Sequence, residues 1–65
     1  MMHEDLIYEQ AGGVAVITLN RPDRLNALRR AGLRALHERL AACEADASLR
    51  AVVLTGAGRA FCAGE

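Results

Sequence analysis

The residues of this chain best suited to chemistry lie near its C-terminal end, where Cys62 stands among glycines. A cysteine nucleophile needs a neighbouring base, and spacing places no His or Asp beside Cys62, which favours a small, partly buried residue. The run Gly56-Ala57-Gly58 begins like a dinucleotide-binding loop, but the third glycine of that pattern falls on Phe61. Neither nucleophilic catalysis nor dinucleotide binding is supported by these residues.

Other reactive side chains are scattered. The chain contains no lysine, which excludes a phosphate-loop lysine and a Schiff-base nucleophile. His3 and His37 have no Cys, Asp or second His at metal-ligand spacing, so we expect two surface histidines and no metal. The carboxylates are spread along the chain without an evident partner in a cleft, which leaves no acid–base pair.

Charge and length exclude further classes. Eight basic and eight acidic residues give a net charge of zero, so we expect no nucleic-acid partner and no anionic membrane partner. Cys43 and Cys62 make no disulfide framework, and neither a secretory signal nor an 18-residue apolar stretch is present. These features predict a cytoplasmic location. A chain of 65 residues buries only about 60% of its unfolded surface, so we expect an incomplete domain without a separate second one.

Two strands and a turn open the chain. Leu6–Gln10 is a short extended segment, and Val14–Leu19 is rich in β-branched residues. Gly12-Gly13 between them favours a tight turn, so the two segments predict a hairpin. Pro22 then ends the second strand.

A helical period follows, from about Leu28 to Ala47. Its apolar stripe, predicted to face the core, contains Leu33, Leu36, Leu40, Cys43 and Ala47. Asn26 is a candidate N-cap, with contact to a ligand as the alternative. Gly32 is expected to allow a neighbouring backbone to approach.

The segment Ala51–Leu54 is uniformly apolar, which predicts a strand covered on both faces. A strand, a helix and a second strand in this order form a parallel, right-handed βαβ unit. The fold class is therefore α/β, with a hairpin leading into a βαβ unit.

Two sequence motifs resemble a known family. Val-Ile-Thr-Leu-Asn-Arg-Pro-Asp-Arg-Leu-Asn-Ala-Leu, from Val16 to Leu28, is similar to the N-terminal signature of the enoyl-CoA hydratase/isomerase (crotonase) superfamily. Val-Val-Leu-Thr-Gly-Ala-Gly-Arg-Ala-Phe-Cys-Ala-Gly, from Val52 to Gly64, resembles the strand and first oxyanion-hole loop of that family. The resemblance implies that residues 1–65 are the N-terminal part of a crotonase-like domain, the start of a ββα spiral.

The resemblance also implies a reaction site. Family members bind acyl-CoA thioesters and stabilise an enolate-like oxyanion with two backbone N–H groups. The first of these corresponds to the backbone N–H of Glu65, whose side chain is not expected to act. Gly64 corresponds to the position where backbone approaches the thioester closely. The carbonyl of Ala63 corresponds to the acceptor for the adenine amino group of CoA.

A second group of residues is expected to border the CoA moiety. By resemblance, it consists of Arg24, Leu25 and Ala27. Arg24 either pairs with a CoA phosphate or is a solvated turn residue. Leu25 and Ala27 either contact CoA or pack at the entrance to the helix.

The most general activity implied is hydration of a 2-enoyl-CoA to a 3-hydroxyacyl-CoA in fatty acid metabolism, without a cofactor. An isomerase of CoA thioesters, such as a ring-epoxide isomerase of phenylacetyl-CoA breakdown, is the alternative within the family. A non-catalytic interaction module is the alternative outside it. We expect the 65-residue chain alone to be inactive and marginally folded, and the full-length parent to be a homotrimer or a hexamer built as a dimer of trimers.

Overall fold

A computed structural model describes residues 5–58 and residue 61 of the chain. These residues form, in order, β1 (Leu6–Ala11), β2 (Val14–Leu19), a 3₁₀ turn (Pro22–Arg24), helix α1 (Arg30–Ala45) and β3 (Ala51–Gly56). The three strands make one sheet in the order β1-β2-β3. The predicted α/β fold is confirmed.

The hairpin forms as predicted. β1 runs antiparallel to β2, and the pairing ends where Ala11 lies opposite Val14. Gly12 and Gly13 have φ values of +58° and +81°. Two successive residues in the left-handed region match the turn that best joins twisted antiparallel strands, and glycine adopts this region at little cost.

The pairing of β2 with β3 sets the position of the loops. β3 runs parallel to β2, with Val14 opposite Ala51 and Leu19 opposite Gly56. The carboxyl ends of both strands therefore lie at the same edge of the sheet. The main-chain N–H of Ala57 donates to the carbonyl of Leu19 at 2.8 Å. The segments that follow β2 and β3 consequently leave the sheet side by side.

The core lies between the sheet and α1. Leu6, Ile17 and Leu19 are buried at its centre, and the partly buried residues packed on them are Tyr8, Leu28, Ala35, Leu36 and Leu40. Along β2 every second residue is buried, because one face of the strand meets this core and the other does not.

The predicted helix is two residues too long at each end. Arg29 is extended, with ψ of 166°, and so is Asp46, with ψ of 104°. The predicted core stripe is correct for Cys43 but wrong for Leu33, which is 58% exposed, and Ala47 is exposed beyond the helix end. A helix turns about 100° per residue, so a helix that buries Gly32 turns Leu33 away from the sheet.

The prediction for β3 is wrong in one respect. Val52, Val53 and Leu54 are 42%, 45% and 38% exposed, so neither face of the strand is covered. The reason is the strand order, which puts β3 at an edge of the sheet, while α1 lies against β1. In residues 5–58 and 61, no helix has the length and apolar character needed to cross a membrane.

Candidate functional site

The loop between β2 and α1, residues 20–29, contains the first family-like motif and is held by its own main chain. The carbonyl of Arg21 accepts hydrogen bonds from the N–H of Arg24 at 2.9 Å and from that of Asn26 at 2.7 Å. Leu25 and Asn26 both adopt left-handed conformations, with φ of +52° and +62°. The chain therefore reverses direction here within a few residues.

Asn26 links this loop to the segment that follows β3. Its side chain is completely buried. Oδ1 accepts a hydrogen bond from the main-chain N–H of Arg21 at 2.8 Å, and Nδ2 donates to the carbonyl of Ala57 at 2.9 Å. One amide side chain thus joins two segments 31 residues apart in sequence.

The two segments also pack against each other at Gly58 and Pro22. Gly58 has a φ of +80°, and a Cβ atom added there would lie 2.9 Å from Cβ of Pro22. Such a distance is too short for ordinary carbon–carbon contact. The turn after β2 and the turn after β3 therefore pack so closely that only glycine fits at position 58.

The structure corrects the predicted helix cap. The residue before α1 is Arg29, and no side chain caps the N-terminus of the helix. Asn26 instead binds Arg21 and Ala57, as described above. Its amide is occupied within the protein fold, which also argues against the alternative in which Asn26 contacts a ligand.

The buried carboxylate of Asp5 stabilises the β2–α1 loop through two arginines. The side chain of Asp5 is 5% exposed, and its Oδ1 lies 2.7 Å from Nη2 of Arg29. Nε of Arg29 donates to Oδ2 of the same carboxylate at 3.1 Å. Arg21 lies nearby, with its Nε 4.0 Å from Oδ2 of Asp5, and its Nη1 donates to the carbonyl of Ala27 at 2.6 Å. The two arginines thus tie both ends of the loop to one carboxylate.

This carboxylate also explains Gly32. A Cβ atom at position 32 would lie 3.1 Å from Oδ2 of Asp5. The prediction that a neighbouring backbone approaches Gly32 is therefore wrong, since the close neighbour is the Asp5 side chain.

The six predicted site residues fall into two groups. Arg24 is exposed at the end of the 3₁₀ turn, and Leu25 and Ala27 are half-buried in the same loop. Ala63, Gly64 and Glu65 lie outside the described residues. The structure therefore brings together the three residues expected to border CoA, and it places their loop against the beginning of the segment that leads to the other three.

Sequence reasoning missed the part played by Asn26, Arg21 and Asp5. A usable signal for Asn26 was present, because asparagine tolerates the left-handed conformation better than most residues. The pairing of Asp5 with the two arginines had no local signal, since Asp5 and Arg29 are 24 positions apart.

The described residues offer no competing metal site. Within residues 5–58 and 61, no group of three or more His, Cys, Asp or Glu side chains could hold a metal ion. His37 is exposed on α1, as predicted. His3 and Cys62 lie outside the described residues.

Comparison with known proteins identifies the family. The family model for enoyl-CoA hydratase/isomerase matches residues 9–65. A probable enoyl-CoA hydratase from Rhodobacter capsulatus is 50% identical over 66 residues, which cover 100% of this chain and 24% of the relative. The 1,2-epoxyphenylacetyl-CoA isomerase of Escherichia coli is 44% identical over 68 residues, covering 98% of this chain and 24% of the relative.

A solved structure agrees with the fold. An enoyl-CoA hydratase/isomerase from Mycobacterium paratuberculosis superposes with a TM-score of 0.93 at 42% identity, over 98% of this chain and 25% of that protein. The chain spans about a quarter of the length of the relatives it matches. With a family model that matches most of its residues and a fold shared with a solved member, the chain belongs to the enoyl-CoA hydratase/isomerase family.

Proposed function

We propose that this chain provides the N-terminal, acyl-CoA-binding part of an enoyl-CoA hydratase, which adds water to a 2-enoyl-CoA to give a 3-hydroxyacyl-CoA. The observation that carries the proposal is the position of Asn26. Its hydrogen bonds fix the loop that contains Arg24, Leu25 and Ala27 against the start of the segment that leads to Gly64. The loop expected to border CoA is thereby held against Ala57, from which the segment toward Gly64 begins.

The proposed chemistry uses main-chain groups. When water adds to the double bond, negative charge develops on the thioester oxygen. A preorganised N–H dipole stabilises this charge most where water is excluded, and the N–H of Glu65 is the proposed donor. Gly64 presents no Cβ to the thioester, and the carbonyl of Ala63 is the proposed acceptor for the adenine amino group. The second donor and the carboxylates that move the protons of water are proposed to lie in the rest of the protein.

The CoA moiety is proposed to lie along the β2–α1 loop. Arg24 is exposed there, so no buried ion pair has to be broken before its guanidinium binds CoA. Two of its N–H groups can donate hydrogen bonds to one phosphate of CoA. Leu25 and Ala27 are half-buried and offer apolar contact beside it. The fixed backbone of this loop supports the proposal, because a preformed site loses less entropy on binding.

A second reaction has specific support. The Escherichia coli 1,2-epoxyphenylacetyl-CoA isomerase matches 98% of this chain at 44% identity, and the Rhodobacter capsulatus hydratase matches 100% at 50%. Both reactions require a thioester oxyanion to be stabilised, so the same loops serve either one. The reaction is decided by groups outside the part that the structure describes.

Binding to this chain tests the first step of the proposal. Ligand-observed NMR with CoA should detect binding by the purified chain, and Arg24→Ala should weaken it by about tenfold, since a charge-assisted contact to phosphate is lost. Arg50→Ala is the matched control, because Arg50 is exposed at the opposite end of the sheet, where its N–H donates to Gly13. Equal effects of the two substitutions would refute the placement of CoA.

Turnover tests the reaction. Loss of the ultraviolet absorbance of crotonyl-CoA reports hydration, and a parallel assay with 1,2-epoxyphenylacetyl-CoA reports isomerisation. We expect the 65-residue chain to show neither, and a cytoplasmic, homotrimeric or hexameric protein that contains it to show the first. In that protein Gly64→Val should abolish turnover by crowding the thioester. Full activity of the Gly64→Val protein would exclude the proposed oxyanion loop.

A further inference from the structure

Arg21 is the residue at which the contacts of the β2–α1 loop converge. Its carbonyl accepts hydrogen bonds from the N–H of Arg24 at 2.9 Å and from that of Asn26 at 2.7 Å. Its own N–H donates to Oδ1 of Asn26 at 2.8 Å, and Nη1 of its side chain donates to the carbonyl of Ala27 at 2.6 Å. Two of the three residues proposed to border CoA, Arg24 and Ala27, are therefore hydrogen-bonded directly to Arg21.

Leu25, the third of these residues, shows that the loop is held in a conformation that it would not adopt alone. Its φ is +52°, in the left-handed region that residues other than glycine rarely occupy. Such a conformation persists only where the surrounding contacts enforce it. The main-chain hydrogen bonds to Arg21 lie on both sides of Leu25, at Arg24 and Asn26, and the side-chain bond to Ala27 closes the loop beyond them. We expect the loop to relax when this side-chain bond is removed.

Asp5 holds the guanidinium of Arg21 in one orientation. The side chain of Arg21 is 19% exposed, and its Nε lies 4.0 Å from Oδ2 of Asp5. The carboxylate is fixed in turn by Arg29, which donates to its two oxygens at 2.7 Å and 3.1 Å. The main-chain carbonyl of Asp5 also accepts a hydrogen bond from the N–H of Asn20 at 2.7 Å. The long side chain of Arg21 has therefore lost most of its rotamer freedom before any ligand arrives.

We infer that Arg21 is a positioning residue of the proposed CoA site, whose guanidinium, oriented by Asp5, holds the β2–α1 loop in the conformation that binds CoA. Arg21 acts through the loop and does not contact CoA, because its side chain is mostly buried, whereas Arg24 is exposed. Without this guanidinium, CoA would have to order the loop as it binds, and that cost lowers the affinity. The inference rests on the proposed binding of CoA to this loop.

Arg21→Lys tests this role, since lysine keeps the positive charge beside Asp5 but cannot replace the planar fork of arginine. In ligand-observed NMR with the purified chain, Arg21→Lys should weaken CoA binding about tenfold, and the matched control Arg50→Lys should leave it unchanged. In an Arg24→Ala background, where the contact to phosphate is already lost, Arg21→Lys should weaken binding by less than about threefold. A purely structural role would instead lower the folded fraction and weaken binding equally in both backgrounds.

Hydrogen exchange tests the same role without a substitution. In the isotope-labelled free chain, the side-chain N–H groups of Arg21 should exchange with water at least about tenfold more slowly than those of the exposed Arg50. Unchanged CoA binding by Arg21→Lys, equal losses in the two backgrounds, or exchange at Arg21 as fast as at Arg50 would each overturn this inference and leave the proposed function standing. Failure of the unsubstituted chain to bind CoA would overturn both.

Discussion

Asn26 offers the sharpest test of how the two loops are held together. Replacing it by alanine removes the acceptor for the N–H of Arg21 and the donor to the carbonyl of Ala57. It also leaves a residue with φ of +62° without the polar side chain that makes asparagine tolerable in the left-handed region. We expect the Asn26→Ala chain to lose the hydrogen bond between the β2–α1 loop and the segment after β3, which leaves the packing of Pro22 against Gly58 as their contact.

The size of the effect follows from these contacts. A buried polar group left without a partner costs about 1–3 kcal/mol, and the half-burial of Arg21 and Ala57 places both groups near the lower limit. The left-handed backbone adds about 1 kcal/mol, so the total loss is about 3 kcal/mol. Proteins have about 0.05–0.15 kcal/mol of stability per residue. For a chain of 65 residues, the substitution removes a third or more of the free energy of unfolding.

Urea unfolding followed by far-UV circular dichroism measures this loss. With a slope near 1 kcal/mol/M for a small protein, the midpoint should fall by about 3 M. Asn26→Gly should recover about 1 kcal/mol by removing the backbone strain, whereas Asn26→Asp should keep the bond from Arg21 and lose the one to Ala57. Asn20→Ala, at an exposed position in the same loop, should change stability by less than about 0.5 kcal/mol. Unfolding of Asn26→Ala and Asn20→Ala at the same urea concentration would show that the buried amide of Asn26 does not hold the two loops together.

Two further predictions concern the turn after β3 and the packing of α1 on β1. Gly58→Ala should lower the free energy of unfolding by about 1–3 kcal/mol more than Gly12→Ala does. Both glycines have a positive φ, but only a Cβ at position 58 would lie 2.9 Å from Pro22. Equal urea midpoints for the two variants would contradict this. Burial, reinforced by the nearby thiol of Cys43, raises the pKa of Tyr8 above 10.0. The neutral phenol therefore contributes folding stability that is complete below pH 10 and is lost as the pH rises through the pKa of the folded state. The chain has one tyrosine and no tryptophan, so an ultraviolet titration reports Tyr8 alone, and Cys43→Ala should lower its midpoint; an unchanged midpoint would show that the thiol has no part.

The elements of the fold were predictable because each depends on neighbouring residues. The β-branched residues of Val14–Leu19 and the glycine pair before them suffice for a hairpin, and Pro22 ends β2 whatever lies around it. The helix was predictable from its three- and four-residue period, although its phase was not. Leu33 could be assigned correctly only by knowing which face of the helix packs on the rest of the protein. Gly32 indicates that face, but only because the side chain of Asp5 lies next to it in the folded chain.

The candidate site was predictable only as two separate motifs. Their residue types indicated an acyl-CoA thioester family, and Arg24, Leu25 and Ala27, expected to border CoA, lie in one loop. The contact between this loop and the segment after β3 depends on two features of the fold. One is the parallel pairing of β2 with β3, and the other is the hydrogen bond from the Asn26 amide to Ala57, 31 positions away. No pattern of neighbouring residues in the sequence indicates a contact over that separation.

The sequence by itself determined the order and type of the elements and the family, because hydrophobic period, turn residues and motif letters are local properties. The tertiary structure alone decided which side chains those elements bury. Asn26 became a link between two loops instead of a helix cap, because the edge of the sheet brings Ala57 within hydrogen-bond distance. The apolar β3 lies uncovered on both faces because α1 packs against β1, the strand at the opposite edge of the sheet. Burial is a property of what surrounds a residue in space, and spatial neighbours are set by strand pairing and helix packing.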